Sequence, residues 1–206
     1  MSDQRPAWRV NSGMFASLTG SYRAQRKPST QQSFSDESAN PEITDFQQTR
    51  NKIYLSCCEA FRSQQPISLM VLTIDEFAAF EMNYGSEAAA SVNLFIEQTL
   101  CHHRNLIFGG DSGVIIGRYV ESRYLILLPG VNGAIATEYS EYIRKSVVAA
   151  EFMWNYRSLH FTVSIGISHK PGHKGDQDML ILQADQACDQ VISTGGNRVA
   201  VAKITA

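Results

Sequence analysis

Between Pro66 and Glu76 the chain runs ISLMVLTID, with only Ser68 and Thr73 breaking the apolar run before Asp75 closes it. A run this short has the length of a strand, and its apolar residues occupy both alternations, so neither face is left for water. Residues 67–75 therefore read as a strand buried on both faces, which the rest of the chain must cover.

The covering elements follow from periodicity. Phe46, Ile53, Leu55 and Phe61 mark a helix from the Ile43 region to about Ser63, and Pro66 stops it. After the strand, Phe77, Phe80 and Tyr84, then Val92, Phe95, Ile96 and Leu100, give two amphipathic helices divided at Gly85. VIIGRY (114–119) and YLILL (124–128) are paired strands, and Asn132 caps a helix with Ile135, Tyr139, Ile143 and Val147 on its inner face. LHFTVSIGIS (159–168) alternates as a half-buried strand; a helix through Leu180, Ala184, Ala187 and Val191 then leads by Gly195-Gly196 to a last strand, RVAVAKI. The order is helix, β-α-β-β-α-β, helix and strand: an α+β fold, a ferredoxin-like βαββαβ sheet with helices packed on it. In that plan the 118–128 hairpin lies centrally, beside the end of the first strand. The turn joining its strands, Val120-Glu121-Ser122-Arg123, has none of the Gly, Asn or Asp that make such turns easy.

Residues 1–40 differ in texture and are expected to form a disordered segment ahead of one domain over 41–206. They are rich in Ser, Gln, Thr, Asn and Arg, and STQQSFSDESANP reads as a linker. Within them Met14, Phe15, Leu18 and Tyr22 recur at helical spacing before Arg23, Arg26 and Lys27, a pattern suited to docking a protein partner or an anionic membrane. A solvated tail with scattered apolar residues is the plainer reading, given Gly13 and Gly20.

Charge and motifs exclude several classes. With 18 basic and 20 acidic residues the net charge is −2, which offers no field for nucleic acid. No apolar run reaches membrane-spanning length, and the N-terminus lacks the apolar core of a secretory signal, so a cytoplasmic location is expected. The four cysteines have no framework spacing, and Cys101-His102-His103 point in different directions on a helix, against a zinc site. There is no G-x-x-x-x-G-K-[ST] loop, no H-E-x-x-H and no G-x-S-x-G. His169 and His173 flank a Lys-rich Pro-Gly loop that reads as solvated.

Taken in order, LTIDEF, RYVESRYLILLPG, FTVSIGIS and ADQACDQVISTGGNRV resemble the GGDEF domain of diguanylate cyclases, which condense two GTP molecules into cyclic di-GMP. PEITDFQQTR at 41–50 looks like a worn form of the family's D-x-L-T-G-L-x-N-R run, so the resemblance covers roughly 41–203.

The same resemblance shows where this chain departs. The family's Gly-Gly-Asp/Glu-Glu-Phe turn falls on Val120, Glu121, Ser122, Arg123 and Tyr124, and only the aromatic survives. Its two metal carboxylates fall on Thr73 and Ser122, and the acidic residue tied to activating the 3′-hydroxyl on Arg123. Hard cations want anionic oxygens, which Thr and Ser do not provide. The guanine-binding Asn and Asp fall on Glu81 and Ala90, and the basic pair for the triphosphate on Ile192 and Gly196. The product-inhibition R-x-x-D window holds Asp111, Ser112, Gly113 and Val114, and the GGD at 109–111 lies in a loop outside the motif's flanks. Each hydrogen bond to a charged group is worth about 1.5–3 kcal/mol, against about −8 kcal/mol for micromolar binding, so several lost contacts remove useful affinity in the family's mode.

The expected protein is a catalytically inactive GGDEF-like domain that needs no cofactor. It serves as an interaction module in cyclic di-GMP-related regulation, through Phe15, Leu18 and Tyr22, through Glu121 and Arg123, or by pairing with a like domain. Two alternatives stay open. One is a receptor for cyclic di-GMP or another nucleotide, with Arg118, Arg123 and Arg198 as phosphate contacts. The other is a residual cyclase with a shifted metal site at Asp75 and Glu121.

Overall fold

The structure, a computed structural model, describes residues 43–109, 112–170 and 177–202. Phe15, Leu18, Tyr22, the GGD turn beyond Gly109, Asp111 and His173 lie outside the described residues.

Helix α1 (Phe46–Ser63) starts where the Asp45 side chain accepts the Gln48 amide at 2.8 Å, a side-chain cap that satisfies one of the helix's free amides. Strand β1 (Ile67–Ile74) is buried at every position, as its apolar run implies. Helices α2 (Phe77–Tyr84) and α3 (Ser86–Phe108) meet at Gly85, whose φ of 86° suits glycine. Strands β2 (Ile115–Val120) and β3 (Arg123–Pro129) follow, then α4 (Gly133–Ala149), which Asn132 caps by accepting the Ile135 amide at 3.0 Å.

The main sheet has the order β2-β3-β1-β6-β7, where β6 is Val163–Lys170 and β7 is Val199–Val201; helix α5 (Gln177–Ser193) connects them. β1 runs antiparallel to both its neighbours, β3 and β6, and β7 joins β6 in parallel. This is the ferredoxin-like order extended by one strand.

Side-chain alternation along β1 splits the core in two. Met70, Leu72 and Ile74 pack with Val92, Ile96 and Leu100 of α3 and Tyr139 and Ile143 of α4. Ile67, Leu69 and Val71 pack on the other face with Ile53 and Ala60 of α1 and Leu180, Ile181 and Ala184 of α5.

Two expectations need correcting. Residues 159–168 are not one half-buried strand: Phe152–Trp154 (β4) and Arg157–Leu159 (β5) form a separate hairpin, turning through Asn155 and Tyr156 at positive φ, and β6 begins at Val163. From Val163 to Ser168, moreover, β6 is buried on both faces. Its small residues serve close approach, because a Cβ on Gly166 would stand 2.1 Å from the Ala184 carbonyl oxygen and 2.3 Å from the Cys188 nitrogen. Ser168 Oγ donates to the Leu180 carbonyl at 2.5 Å, which satisfies its hydroxyl beneath α5.

The hairpin is also less central than expected. β3 is internal, but β2 is an edge strand, covered by one parallel bridge between Thr44 and Gly117. The Thr44 amide donates to the Ile116 carbonyl at 3.1 Å, and the Arg118 amide to the Thr44 carbonyl at 2.9 Å. Gly117 lets α1 come this close, since a Cβ there would stand 1.8 Å from Thr49 Oγ1.

Candidate functional site

The end of β1, the β2–β3 turn and the α5–β7 loop converge at one end of the sheet. Thr73 is 4 % exposed and lies in register between Arg123 of β3 and Ser164 of β6. The Ile74 amide donates to the Ser122 carbonyl at 3.2 Å, so the turn is stitched to the strand end by backbone.

The Asp75 carboxylate is held by three protein donors: Thr162 Oγ1 at 2.5 Å, Ser164 Oγ at 2.6 Å and the Asn197 amide at 2.9 Å. The Asp75 amide donates in turn to the Thr162 carbonyl at 2.9 Å. Gly196, at φ 69°, lies against the same carboxylate, and a Cβ there would stand 2.9 Å from Asp75 Cγ. Asp75 thus ties β1 to β6 and to the α5–β7 loop.

The turn solves its lack of glycine by register. Pairing shifts between Arg118 and Val120, an irregularity of the bulge kind, and none of residues 120–123 has a positive φ. The turn proper is Glu121 and Ser122.

Two arginines then fasten this hairpin to helices on opposite faces of the sheet. Arg123 donates through Nη1 to Asp185 at 2.5 Å and through Nη2 to Asp189 at 2.6 Å, both on α5. Burial works against its charge, but the hydrogen bonds and charges of the two aspartates outweigh burial and raise its pKa. Arg118 donates through Nε to Oε1 of Glu97 on α3 at 2.7 Å; Glu97 is fully buried, and its Oε2 has no hydrogen-bond partner. Tyr124, the surviving aromatic of the motif, is buried, and its hydroxyl donates to Asn93 Oδ1 at 3.0 Å and lies 3.3 Å from the same Glu97 oxygen. Burial first, then the Glu97 charge, pushes the Tyr124 phenol far above its ordinary range, while the Glu97 hydrogen bond raises Arg118.

Two clefts border the convergence and divide the residues picked out in the sequence. A cleft of about 520 Å³ takes in Asp75, Glu76, Tyr84, Phe161, Ile192 and Gly196. A second, of about 430 Å³, takes in Asp45, Gln48, Arg118, Tyr119, Val120 and Glu121. Asp75 and Glu121 line different clefts. Glu81, half-buried on α2, and Ala90, exposed near the start of α3, line neither cleft, and Arg198 is an exposed side chain beside β7.

These residues do not fit a divalent cation. Thr73 and Ser122 offer neutral oxygens, and both Asp75 oxygens already accept protein hydrogen bonds. Among the described residues, no group of three or more His, Cys, Asp or Glu side chains is placed to hold a metal. Arg123 and Arg118 are each spent on carboxylates.

Sequence reasoning missed those carboxylates. Asp185 and Asp189 stand four apart on one face of α5, a readable signal once Arg123 is known to lie opposite. Glu97 adjoins the buried stripe of Val92, Ile96 and Leu100, where nothing local marks it as buried.

Comparison with known proteins places this geometry. Residues 47–198 match the family model described as diguanylate cyclase, GGDEF domain. A probable diguanylate cyclase, DgcF of Escherichia coli, is 28% identical over 143 residues, covering 68% of this chain and 44% of the relative. Diguanylate cyclase A of Treponema denticola is 24% identical over 140 residues, covering 68% and 36%. The chain thus spans less than half the length of these curated relatives. Among solved structures, the GGDEF domain of DgcB from Caulobacter crescentus, in complex with c-di-GMP, superposes with a TM-score of 0.72 at 20% identity, over 86% of this chain and 99% of that one. The active GGEEF domain of a diguanylate cyclase from Vibrio cholerae gives 0.70 at 19% identity, over 79% and 99%. At these identities the superpositions establish the fold, and the family model covers most of the chain: the chain belongs to the GGDEF domain family.

Proposed function

We propose that this chain is a GGDEF domain without diguanylate cyclase activity, acting as a regulatory protein-interaction module in bacterial cyclic di-GMP-related signalling. The observation that carries the reading is the fate of Asp75. It is the acidic residue that closes the β1 run, and its carboxylate serves as a clasp between three segments. Phosphoryl transfer rests on metal charge and positioning, and the remaining residues at this end supply neither.

The fold, by contrast, is kept, which fits a domain retained for its surfaces. Glu121 and the 57 % exposed Val120 stand out at the turn and form one such surface, while Arg123 shapes it from beneath. Phe15, Leu18 and Tyr22, outside the described residues, are a second candidate contact when not docked on this chain itself, and pairing with another GGDEF-like domain is a third route to a partner. No helix among the described residues is long and apolar enough to cross a membrane, and a cytoplasmic setting goes with this reading.

Calorimetric titration with GTP plus magnesium, and separately with cyclic di-GMP, tests it. The expected result is no binding heat from either and no cyclic product from GTP. Magnesium-dependent binding with product formation would mean a working cyclase, and saturable binding of cyclic di-GMP alone would make the chain a receptor, with Arg198 the first residue to replace.

A further inference from the structure

Helix α1 has a second apolar face. Its inner face is fixed by Thr49, Ile53 and Ala60, yet Tyr54, Leu55 and Phe61 face outward at 51 %, 65 % and 48 % exposure. Tyr54, Leu55, Cys58, Glu59, Arg62 and Ser63 line a shallow groove of about 620 Å³ along this outer face. An ordinary solvent face of a surface helix is polar, and an apolar stripe at helical spacing marks a contact surface.

We propose that the occupant is this chain's own N-terminal segment, residues 14–22, docked through Met14, Phe15, Leu18 and Tyr22. Three observations select it. The segment carries apolar residues at helical spacing, at positions 14, 15, 18 and 22, that can face such a groove. The chain also ends its described course at Ile43, beside the start of the same helix. Twenty residues, 23–42, separate the stripe from that point; extended they span up to about 65 Å, whereas α1 is about 27 Å long, so the segment reaches any part of the groove.

Area argues against a second copy. Three side chains of roughly 150–250 Å² each, about half exposed, offer on the order of 300 Å². A stable interface between separate chains needs about 800 Å² per partner. A tethered segment needs far less, because a tether of this length holds it at an effective concentration of about millimolar. This docking is independent of whether the domain turns over GTP.

Cys58, partly exposed in the groove, supplies the readout. In the full chain, alkylation of Cys58 by iodoacetamide, followed by peptide mass spectrometry, is expected to be at least fivefold slower than in the Phe15→Ser/Leu18→Ser/Tyr22→Ser chain, at every protein concentration. Equal rates overturn the proposal. Protection that grows with protein concentration also overturns it, assigning the face to a second copy. Buried Cys101 and Cys188 report unfolding in the same digest; if the triple variant exposes them, the single Leu18→Ser chain carries the comparison.

Discussion

The β2–β3 turn is gripped from both faces of the sheet, and the two grips differ in kind. On the α5 side Arg123 holds Asp185 and Asp189, whose side chains are 22 % and 58 % exposed, so water shares the work. On the α3 side half-exposed Arg118 reaches in to Glu97, which is sealed from solvent and has one oxygen without a partner. Exposed pairs contribute about 0–1 kcal/mol, whereas a buried charge stripped of its partner costs about 3–5 kcal/mol. The same hairpin is therefore fastened reversibly on one face and obligatorily on the other.

The largest expected effect tests the obligatory side. Arg118→Ala should lower unfolding stability by about 3 kcal/mol in urea titration, the low end for a stranded buried charge, because Arg118 itself is half exposed. Adding Glu97→Gln should recover at least half of that loss. If Arg118→Ala alone costs under about 1 kcal/mol, the two grips are alike and the distinction fails.

Helix α3 also carries a buried histidine, His103, whose protonation makes stability depend on acid. Burial, and then the neighbouring His102, lower the pKa of His103 from 6.5 to about 4. Below pH 6.5 the unfolded chain binds the proton that the folded chain refuses, so stability falls as pH drops from 6.5 and levels off below about 4. The loss amounts to about 3 kcal/mol, and His103→Phe should flatten that part of the pH profile. An unchanged profile would show that His103 is not the group responsible.

Asp75 is partly buried, and Asp75→Ala should cost about 2 kcal/mol, since it leaves two hydroxyls and an amide without their acceptor. Arg123→Ala should have the smallest effect, about 1 kcal/mol, and raising salt from 0.1 to 1 M should shrink it, leaving the Arg118 effect nearly unchanged. Equal salt dependence of the two arginines would count against the comparison.

How much of this the sequence announces depends on the range of the interaction. The double-sided burial of β1, the Asn132 cap and the break at Gly85 are local, and apolar spacing or a single side chain declares each of them. The burial of Ser164, Gly166 and Ser168 is not local. Small residues at alternate positions look like a solvent face until α5 is placed against them. The candidate site divides the same way. Matching flanks locate Thr73, Ser122 and Arg123 at one strand end, and the fold does bring them there. The partners of Arg118, Arg123 and Asp75 come from residues 21 to 122 positions away, which no spacing rule connects.

Thr44 reaches beyond the helix it precedes. Its two backbone hydrogen bonds close the outer edge of β2, which would otherwise present the Ile116 carbonyl and the Arg118 amide to any passing strand. A chain trimmed to begin at Phe46 would keep every described helix and strand and yet bare a sheet edge ready to recruit others. What this one bridge governs is colloidal behaviour: whether that edge stays closed or becomes a seed for aggregation.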